Sequence, residues 1–339
     1  MPRTIVMGDP RYFSVLGGAN PHTRNALGIR KRVDPELAQI QWHELAQTML
    51  RYGAEVCVIE PHRGLSGLVY PANAGFLYPL VFSRSSTGAR AGARKTFYLA
   101  NLIPTRAPEI EVYRPFIRAM GYETRDFAAR FEGEADFFPA GRYMIFTHGK
   151  IERQRFAPRF GIPPWRRVYG FRSDAAALDP LRTIAVDAPI IALELCLEAY
   201  YHGDTVICSF GPEREFLLAY MNGIAPASRS ALKDAFGANL IELADRDAAI
   251  YAANSFQIDH NGALYLLMPE GVSAELLSEV RRRSVEPVTV NVSEFLAKGG
   301  GSIKCMILDL GPTAEQPSAA IAWRAERSYR RVYTIAAEA

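Results

Sequence analysis

The chain has 339 residues, of which 49% are apolar and 22% charged, and its formal net charge is +3. This composition is typical of an ordinary globular protein and excludes a mostly disordered or fibrous chain. A chain of this length forms about two domains or one large one, and so small a net charge neither requires nor excludes a nucleic-acid partner.

The sequence shows no pattern typical of a signal peptide, a membrane span or a disulfide framework, and this bears on the expected cellular compartment. The first ten residues contain no long apolar segment, so we expect no signal peptide. Glu194 and Glu198 interrupt the apolar stretch 189–201, so we expect no membrane span there. The four cysteines are too scattered for a disulfide framework or a zinc site, and a cytoplasmic location is therefore expected.

The first predicted helix begins after Asp34, which is a typical N-cap, with Pro35 in the first turn, and it ends at Gly53. Apolar residues recur along it at spacings of four, three and four, which predicts one buried face. These residues are Ala38, Trp42, Leu45 and Met49. A strand is predicted at 55–60, directly after the helix.

Similar strand and helix segments follow along the chain. They are strand 95–102, helix 109–120, a strand near Thr124, helix 228–236, strand 239–243, strands 255–259 and 263–268, helix 273–283 and strand 288–291. Asn261-Gly262 predicts a tight hairpin turn between two of these strands. No Gly/Ser linker divides the chain. Residues 79–94 contain three arginines and no acid, which indicates either a solvated surface loop or a mobile basic lid.

Cys305 follows Gly299-Gly300-Gly301 and is predicted to lie at the mouth of a strand over 303–310. A cysteine beside a tight glycine loop is a candidate nucleophile, although a small buried residue would also fit there. The other three cysteines lie in apolar runs and are interpreted as core residues.

Two polar segments are candidate partners for this thiol. If 202–204 is a strand, His202 and Asp204 face the same side, and they could be an acid/base pair, metal ligands or a satisfied core pair. A metal is the weakest of these options because no second histidine lies at ligand spacing. Glu132 and Asp136 flank a turn, and they either cap a polar loop or supply carboxylates that bind a cation or move protons.

Taken in order, these segments resemble the guanidino-group-modifying superfamily, which includes arginine deiminase, dimethylarginine dimethylaminohydrolase, glycine amidinotransferase and the arginine dihydrolases. The resemblance runs from Asn20-Pro21 to Cys305. Between these ends it includes Val69-Tyr70-Pro71-Ala72-Asn73-Ala74-Gly75, Arg106-Ala107-Pro108-Glu109 and Gly170-Phe171-Arg172-Ser173. It implies an α/β fold, namely a five-bladed α/β propeller (pentein) of ββαβ-type modules that forms one catalytic domain over 1–339, with 79–94 as an inserted loop.

The resemblance also implies a role for each site residue. Cys305 would attack a guanidinium carbon, and His202 would protonate the leaving amine and then activate water. Glu132 and Asp204 would hold the guanidinium nitrogens through charge-assisted hydrogen bonds. The implied substrate-binding residues are Asn73, Asp204, Asp136, Asn20 and Arg172. The expected partner is a small guanidino compound, with no cofactor, metal, nucleic acid or membrane, and a homo-oligomer is compatible with the sequence.

Asn73 stands where deiminases of this superfamily are expected to carry an aspartate, as in the dihydrolases. An amide can donate to the carbonyl of a ureido intermediate, which an ionised carboxylate cannot do. This difference favours a dihydrolase that removes both nitrogens. An amidinotransferase, in which an amine replaces water, remains an alternative, as does a non-enzymatic binding protein on the same fold.

Overall fold

The computed structural model describes residues 3–15, 20–25, 27–79, 95–158 and 165–312. The interpretation of 79–94 as an inserted loop or lid falls, from residue 80 onward, outside these ranges. Within them, no helix has both the length and the apolar character needed to cross a membrane.

Helices and strands alternate along the chain, as in other mixed α/β proteins. The helices are α1 (Pro35–Arg51), α2 (Ile110–Ala119), α3 (Leu178–Ile184), α4 (Pro226–Phe236), α5 (Asp245–Ala249), α6 (Ala274–Arg281) and α7 (Ser293–Gly299). The strands are β1 (Arg3–Gly8), β2 (Ala54–Ile59), β3 (Gly75–Tyr78), β4 (Thr96–Leu99), β5 (Glu123–Asp126), β6 (Phe137–Ala140), β7 (Tyr143–His148), β8 (Arg155–Pro158), β9 (Trp165–Val168), β10 (Ile190–Glu194), β11 (Ile207–Phe210), β12 (Phe216–Ala219), β13 (Leu240–Glu242), β14 (Phe256–His260), β15 (Ala263–Pro269), β16 (Val285–Val290) and β17 (Leu308–Pro312).

The described strands form five three-stranded sheets and one separate hairpin, β8–β9. The sheets have the orders β17-β1-β2, β3-β4-β5, β6-β7-β10, β11-β12-β13 and β14-β15-β16. In every three-stranded sheet the central strand pairs antiparallel with one neighbour and parallel with the other. A parallel connection needs a crossover, and α1, α2, α3, α4 and α6 each lie between the two parallel strands of one sheet.

The first sheet is completed by a strand from the far end of the described chain. Arg3 of β1 lies opposite Pro312 of β17, whereas the other four sheets take their antiparallel strand from the segment just before the central one. The Arg3 guanidinium forms an ion pair with Asp309 across this pairing. The last described strand therefore closes the sheet that the first strand begins.

The sequence predictions for α1 and for the hairpin turn are confirmed. Asp34 caps α1 by accepting hydrogen bonds from two backbone amides of its first turn, and the four residues predicted for its apolar face are buried. Asn261 and Gly262 both have positive φ angles between β14 and β15, as a two-residue hairpin of the predicted kind requires.

Five short turns, which we call the strand-entry turns, lead into the antiparallel outer strands of the five sheets. Four of them are single turns of 3-10 helix, and the fifth is an irregular turn over 251–254. The four helical turns are Pro71–Ala74 before β3, Gly133–Ala135 before β6, Gly203–Thr205 before β11 and Lys304–Met306 before β17. The turn over 251–254 precedes β14. Most of the sequence-predicted site residues lie in or beside these turns.

We predict that Asp34→Ala lowers the free energy of unfolding by about 1 kcal/mol, because two amides of the first turn of α1 lose their acceptor. Urea unfolding monitored by circular dichroism would measure this loss. Asp34→Asn is the matched control and should stay close to the parent, since the Asn side chain still offers an oxygen. Equal stability of all three proteins would contradict the capping argument.

Candidate active site

Residues in or beside four of the five strand-entry turns line a cavity of about 130 Å³. Six of the sequence-predicted site residues line it, namely Asn20, Asn73, Glu132, Arg172, His202 and Cys305. All six are at least nine-tenths buried. Side chains that lie far apart in the sequence therefore share one partly enclosed space.

At one side of the cavity, Glu132 and His202 form a buried pair. The Nε2 atom of His202 lies 2.9 Å from a carboxylate oxygen of Glu132. Burial alone would raise the pKa of Glu132, but the hydrogen bond and charge of His202, with Arg106 and Arg172, lower it to about 2. Burial lowers the pKa of His202, but the carboxylates of Asp136, Glu132 and Asp204 outweigh it and raise this pKa. The surrounding carboxylates therefore favour the protonated form of His202.

The Cys305 thiol lies in a turn beside a second carboxylate. Its Sγ is 3.3 Å from Oδ2 of Asp204 and donates to it. Burial, together with the negative charge of Asp204, raises the pKa of the thiol well above its ordinary value. Burial also raises the pKa of Asp204, to about 6, although His202 and Lys304 oppose the rise. A cation placed among these groups would favour the thiolate.

Asn254 also holds the thiol, although the sequence analysis did not identify it. Its Nδ2 donates to Cys305 Sγ at 3.2 Å, and its Oδ1 accepts from the backbone amides of Cys305 and Ser302. The missed signal is a short repeat in which an aromatic residue precedes a polar one by three positions. It is seen in Tyr70-Pro71-Ala72-Asn73, Phe131-Glu132-Gly133-Glu134, Tyr201-His202-Gly203-Asp204 and Tyr251-Ala252-Ala253-Asn254.

Asn73 lies between His202 and Arg106. Its Nδ2 is 3.4 Å from both ring nitrogens of His202, and its Oδ1 accepts from Nη1 of Arg106 at 2.6 Å. Arg106 also pairs with Glu109, which is almost completely buried. In the sequence, Arg106 and Glu109 stand out only as part of a motif of the resemblance, whereas the structure places both in the cavity wall.

Another wall of the cavity is built around Tyr201. The Arg172 guanidinium carbon lies 4.9 Å from the centre of the Tyr201 ring, and Asn20 Nδ2 donates to Tyr201 Oη at 3.1 Å.

Gly299 and Gly301 pack so closely against Tyr70 that a Cβ at either position would lie 2.5 Å or less from it. The glycines thus accommodate a ring of the protein itself, which the sequence analysis did not predict.

Asp136 and Asp204 do not line this cavity. Asp136 is buried and accepts from Thr147 Oγ1, Ser173 Oγ and the backbone amide of Gly203. It therefore supports the turn that carries His202. Asp204 reaches the site through its contact with Cys305 Sγ, and its Oδ1 has no hydrogen-bond partner among the described residues.

Three local expectations are wrong. Residues 202–204 do not form a strand, because His202 precedes the 3-10 turn Gly203–Thr205, and Gly203 packs against Thr147 where a Cβ would lie 2.2 Å from Oγ1. Cys305 lies in the turn Lys304–Met306 rather than in a strand over 303–310. Cys196 is exposed, although it was expected in the core. Short apolar runs do not distinguish a tight turn or a surface segment from a buried strand.

The arrangement provides two hydrogen-bonded pairs, one of a thiol with a carboxylate and one of an imidazole with a carboxylate. Such a set can bind a planar cation, attack its carbon and transfer protons to and from the departing groups. In the described part of the chain, no three Asp, Glu, His or Cys side chains are grouped as ligands for a metal ion.

We predict that Asn254→Asp slows alkylation of Cys305 by neutral iodoacetamide about tenfold near neutral pH. The substitution replaces the amide that donates to Sγ with a carboxylate, which disfavours the thiolate. Mass spectrometry of the Cys305 peptide over time would measure the rate. Asn261→Asp adds the same charge in the exposed hairpin turn and should react like the parent. An unchanged rate in Asn254→Asp would rule out a role of the amide in thiol reactivity.

No protein-family model matches the chain. A dimethylarginine dimethylaminohydrolase from Mycobacterium tuberculosis is 28% identical to it over 313 residues, which cover 92% of this chain and 87% of the relative. The bifunctional arginine dihydrolase/ornithine cyclodeaminase ArgZ from Synechocystis is 25% identical over 322 residues, covering 90% of this chain but 37% of the relative.

Solved structures share the fold. The N-terminal domain of ArgZ bound to its substrate has a TM-score of 0.72 at 21% identity, covering 91% of this chain and 98% of that domain. A dimethylarginine dimethylaminohydrolase adduct with S-methyl-L-thiocitrulline has a TM-score of 0.64 at 17% identity, covering 91% of this chain and all of the other. The similarity in sequence extends along nine-tenths of the chain and the fold is shared over the same length, so the chain is similar to these guanidino-modifying proteins over almost all of its residues.

Proposed function

We propose that the protein is a cysteine-dependent hydrolase of a guanidino compound that acts through a covalent thiol intermediate. The observation that carries the proposal is the buried set at the cavity, in which Cys305 contacts Asp204 and His202 contacts Glu132. Relatives along nearly the whole chain are named for hydrolysis of arginine or its dimethylated form, which supports the same chemistry.

In the first half of the reaction, a guanidinium enters the cavity and its positive charge is met by Glu132 and Asp204. This charge offsets Asp204, whose negative charge disfavours the thiolate, so the thiol loses its proton to solvent. Cys305 Sγ then bonds to the guanidinium carbon. His202 is held protonated by its carboxylate neighbours, and it gives its proton to the departing nitrogen as the C–N bond breaks.

In the second half, a water molecule attacks the same carbon. Neutral His202 takes one proton from this water, the C–S bond breaks to return the thiolate, and the remaining hydroxyl proton is lost to solvent as the ureido carbonyl forms. The balance is one water consumed and one ammonia or amine released, and the product is a ureido compound. Repetition on that product consumes a second water and releases a second ammonia, leaving an amine and carbon dioxide.

We favour removal of both nitrogens because Asn73, rather than an acidic residue, lines the cavity beside His202. Its amide can donate to the carbonyl oxygen of the ureido compound, which a carboxylate cannot do while ionised. A hydrolase that stops at the ureido product is the second candidate, and the 28% identity to a dimethylarginine dimethylaminohydrolase favours it. A product assay separates the two.

The remaining roles follow from the same scheme. Arg172 and Asn20 would recognise the polar end of the substrate at the wall built around Tyr201, while Asp136 would orient the His202 turn. We further propose that the five sheets are the blades of a five-bladed α/β propeller and that 1–339 is a single catalytic domain. The repeated strand order and the pairing of β1 with β17 support this arrangement.

Mass spectrometry of the products would test the proposed activity. The substrates to be screened are arginine, methylated arginines, agmatine, guanidino acids and citrulline, each without an added amine. Release of ammonia or of an alkylamine from one guanidino compound supports the proposal. Turnover that requires an added amine would indicate an amidinotransferase. No turnover, together with no labelling of Cys305 by a haloacetamidine, would favour a non-enzymatic protein.

We predict that Cys305→Ala abolishes turnover while the thermal unfolding transition stays close to that of the parent, because the change removes little volume. Activity assays and circular dichroism on the same preparation would measure both effects. Cys208→Ala is the matched control, since Cys208 is also buried but donates only to backbone carbonyls. It should retain turnover. Substantial activity in pure Cys305→Ala would overturn the mechanism.

We predict that Asn73→Asp slows hydrolysis of the ureido compound about tenfold or more, and affects the first hydrolysis less. The first step acts on a cation, which an aspartate tolerates, whereas the second needs the amide donor. The ratio of ureido product to final amine over time would measure the effect, and it should rise. An unchanged ratio would remove Asn73 from the second step.

A further inference from the structure

Arg106 is held in one orientation by several acceptors. Its Nε and Nη2 donate to the carboxylate of Glu109, and Nη2 also donates to the backbone oxygens of Gly67 and Tyr70. Glu109 is 1% exposed, so this carboxylate is not free to turn toward solvent. The remaining contact, Nη1 to Asn73 Oδ1 at 2.6 Å, points a fixed donor at the Asn73 side chain.

This contact decides which way the Asn73 amide faces. A guanidinium only donates hydrogen bonds, so the amide atom against Arg106 must be the oxygen. The two ends of a planar amide point apart, and Nδ2 is accordingly on the side of His202, 3.4 Å from its ring nitrogens. A flipped amide would turn its N–H groups toward the Arg106 guanidinium, which has no acceptor, and the 2.6 Å hydrogen bond would be lost.

We propose that Arg106 is a positioning residue that fixes Asn73 with its amide nitrogen toward the reaction centre and thereby promotes the second hydrolysis. This inference rests on the proposed function, and it assigns to Arg106 a role in product outcome rather than in substrate contact. Asn73 supplies the N–H donor, and Arg106 keeps that N–H on the side of the amide that faces His202.

The same geometry explains how Asn73 can serve two different steps. While the substrate is a guanidinium, Glu132 in the cavity wall can accept from it and Asp204 next to the Cys305 thiol balances its charge, so the amide need not contribute. Once the substrate is a neutral ureido compound, its carbonyl oxygen needs a donor. An Asn73 amide that turned freely would sometimes present its oxygen to the ureido carbonyl oxygen, and two acceptors cannot form a hydrogen bond. The fixed orientation removes this unproductive state.

The test compares variants that change what faces Asn73. Arg106→Gln/Glu109→Gln removes both charges together, so no buried carboxylate is left unpaired, and it places an amide that can accept as well as donate beside Asn73. Glu109→Gln alone is the matched control, because Arg106 still donates only. Arg106→Lys is the conservative variant and retains a donor-only group. Thermal unfolding establishes that each variant is folded.

With the ureido compound supplied directly, we expect kcat to fall about tenfold in Arg106→Gln/Glu109→Gln. The KM for the guanidino substrate should change little. The ratio of ureido product to amine should stay at the parent value in Glu109→Gln and be largely restored in Arg106→Lys. In an Asn73→Asp background, adding Arg106→Gln/Glu109→Gln should not change the ratio further, since the donor is already gone.

Neutron diffraction of the deuterated wild-type protein locates the Asn73 amide deuterons without any assay. Deuterons on the atom facing Arg106, or an unchanged product ratio in folded Arg106→Gln/Glu109→Gln, would overturn the inference. A wild-type enzyme that stops at the ureido compound would overturn the role in the second hydrolysis. Failure of the proposed function is a separate result, namely no nitrogen release from any guanidino compound.

Discussion

The 2.9 Å hydrogen bond between His202 and Glu132 is the interaction on which the centre of this protein depends. Both side chains are almost fully removed from solvent, and an ionised group in such a place is tolerated only if it is paired and hydrogen-bonded. Asp136 adds a third buried charge, which Thr147 and Ser173 satisfy. The buried groups of His202, Glu132 and Asp136 therefore stabilise one another. Removing one of these side chains would leave a buried charge without its partner.

The repeated architecture explains why this set can assemble from distant segments. Each sheet delivers one short turn to the same region, and equivalent positions of different turns carry Glu134, Asp204 and Cys305. Glu134 binds Lys304 at 2.7 Å, whereas Asp204 contacts the thiol. The middle residue of the turn thus has a different role in each of three sheets. It is an ion-pair partner as Glu134, a carboxylate beside the thiol as Asp204 and the proposed nucleophile as Cys305.

Much of the secondary structure was predictable because it depends on local signals. The cap at Asp34, the spacing of apolar residues in α1 and the Asn261-Gly262 turn each act over a few residues, and all three appear where expected. The turns at 202–204 and 304–306 were mistaken for strands, because a run of three to five residues carries no distinct periodicity. The contact between Asn254 and Cys305 joins residues 51 positions apart, and only the fold brings them together.

The pairing of β17 with β1 ties the chemistry of the protein to the completion of its fold. Cys305 lies three residues before β17, so the segment that closes the first sheet also carries the thiol. A chain cut or arrested before this segment would lack the nucleophile and leave the edge of β1 unpaired, while its acidic and histidine side chains were already present. Incomplete molecules would therefore be inert toward substrate and recognisable by an exposed strand edge, the kind of surface on which chaperones and proteases act.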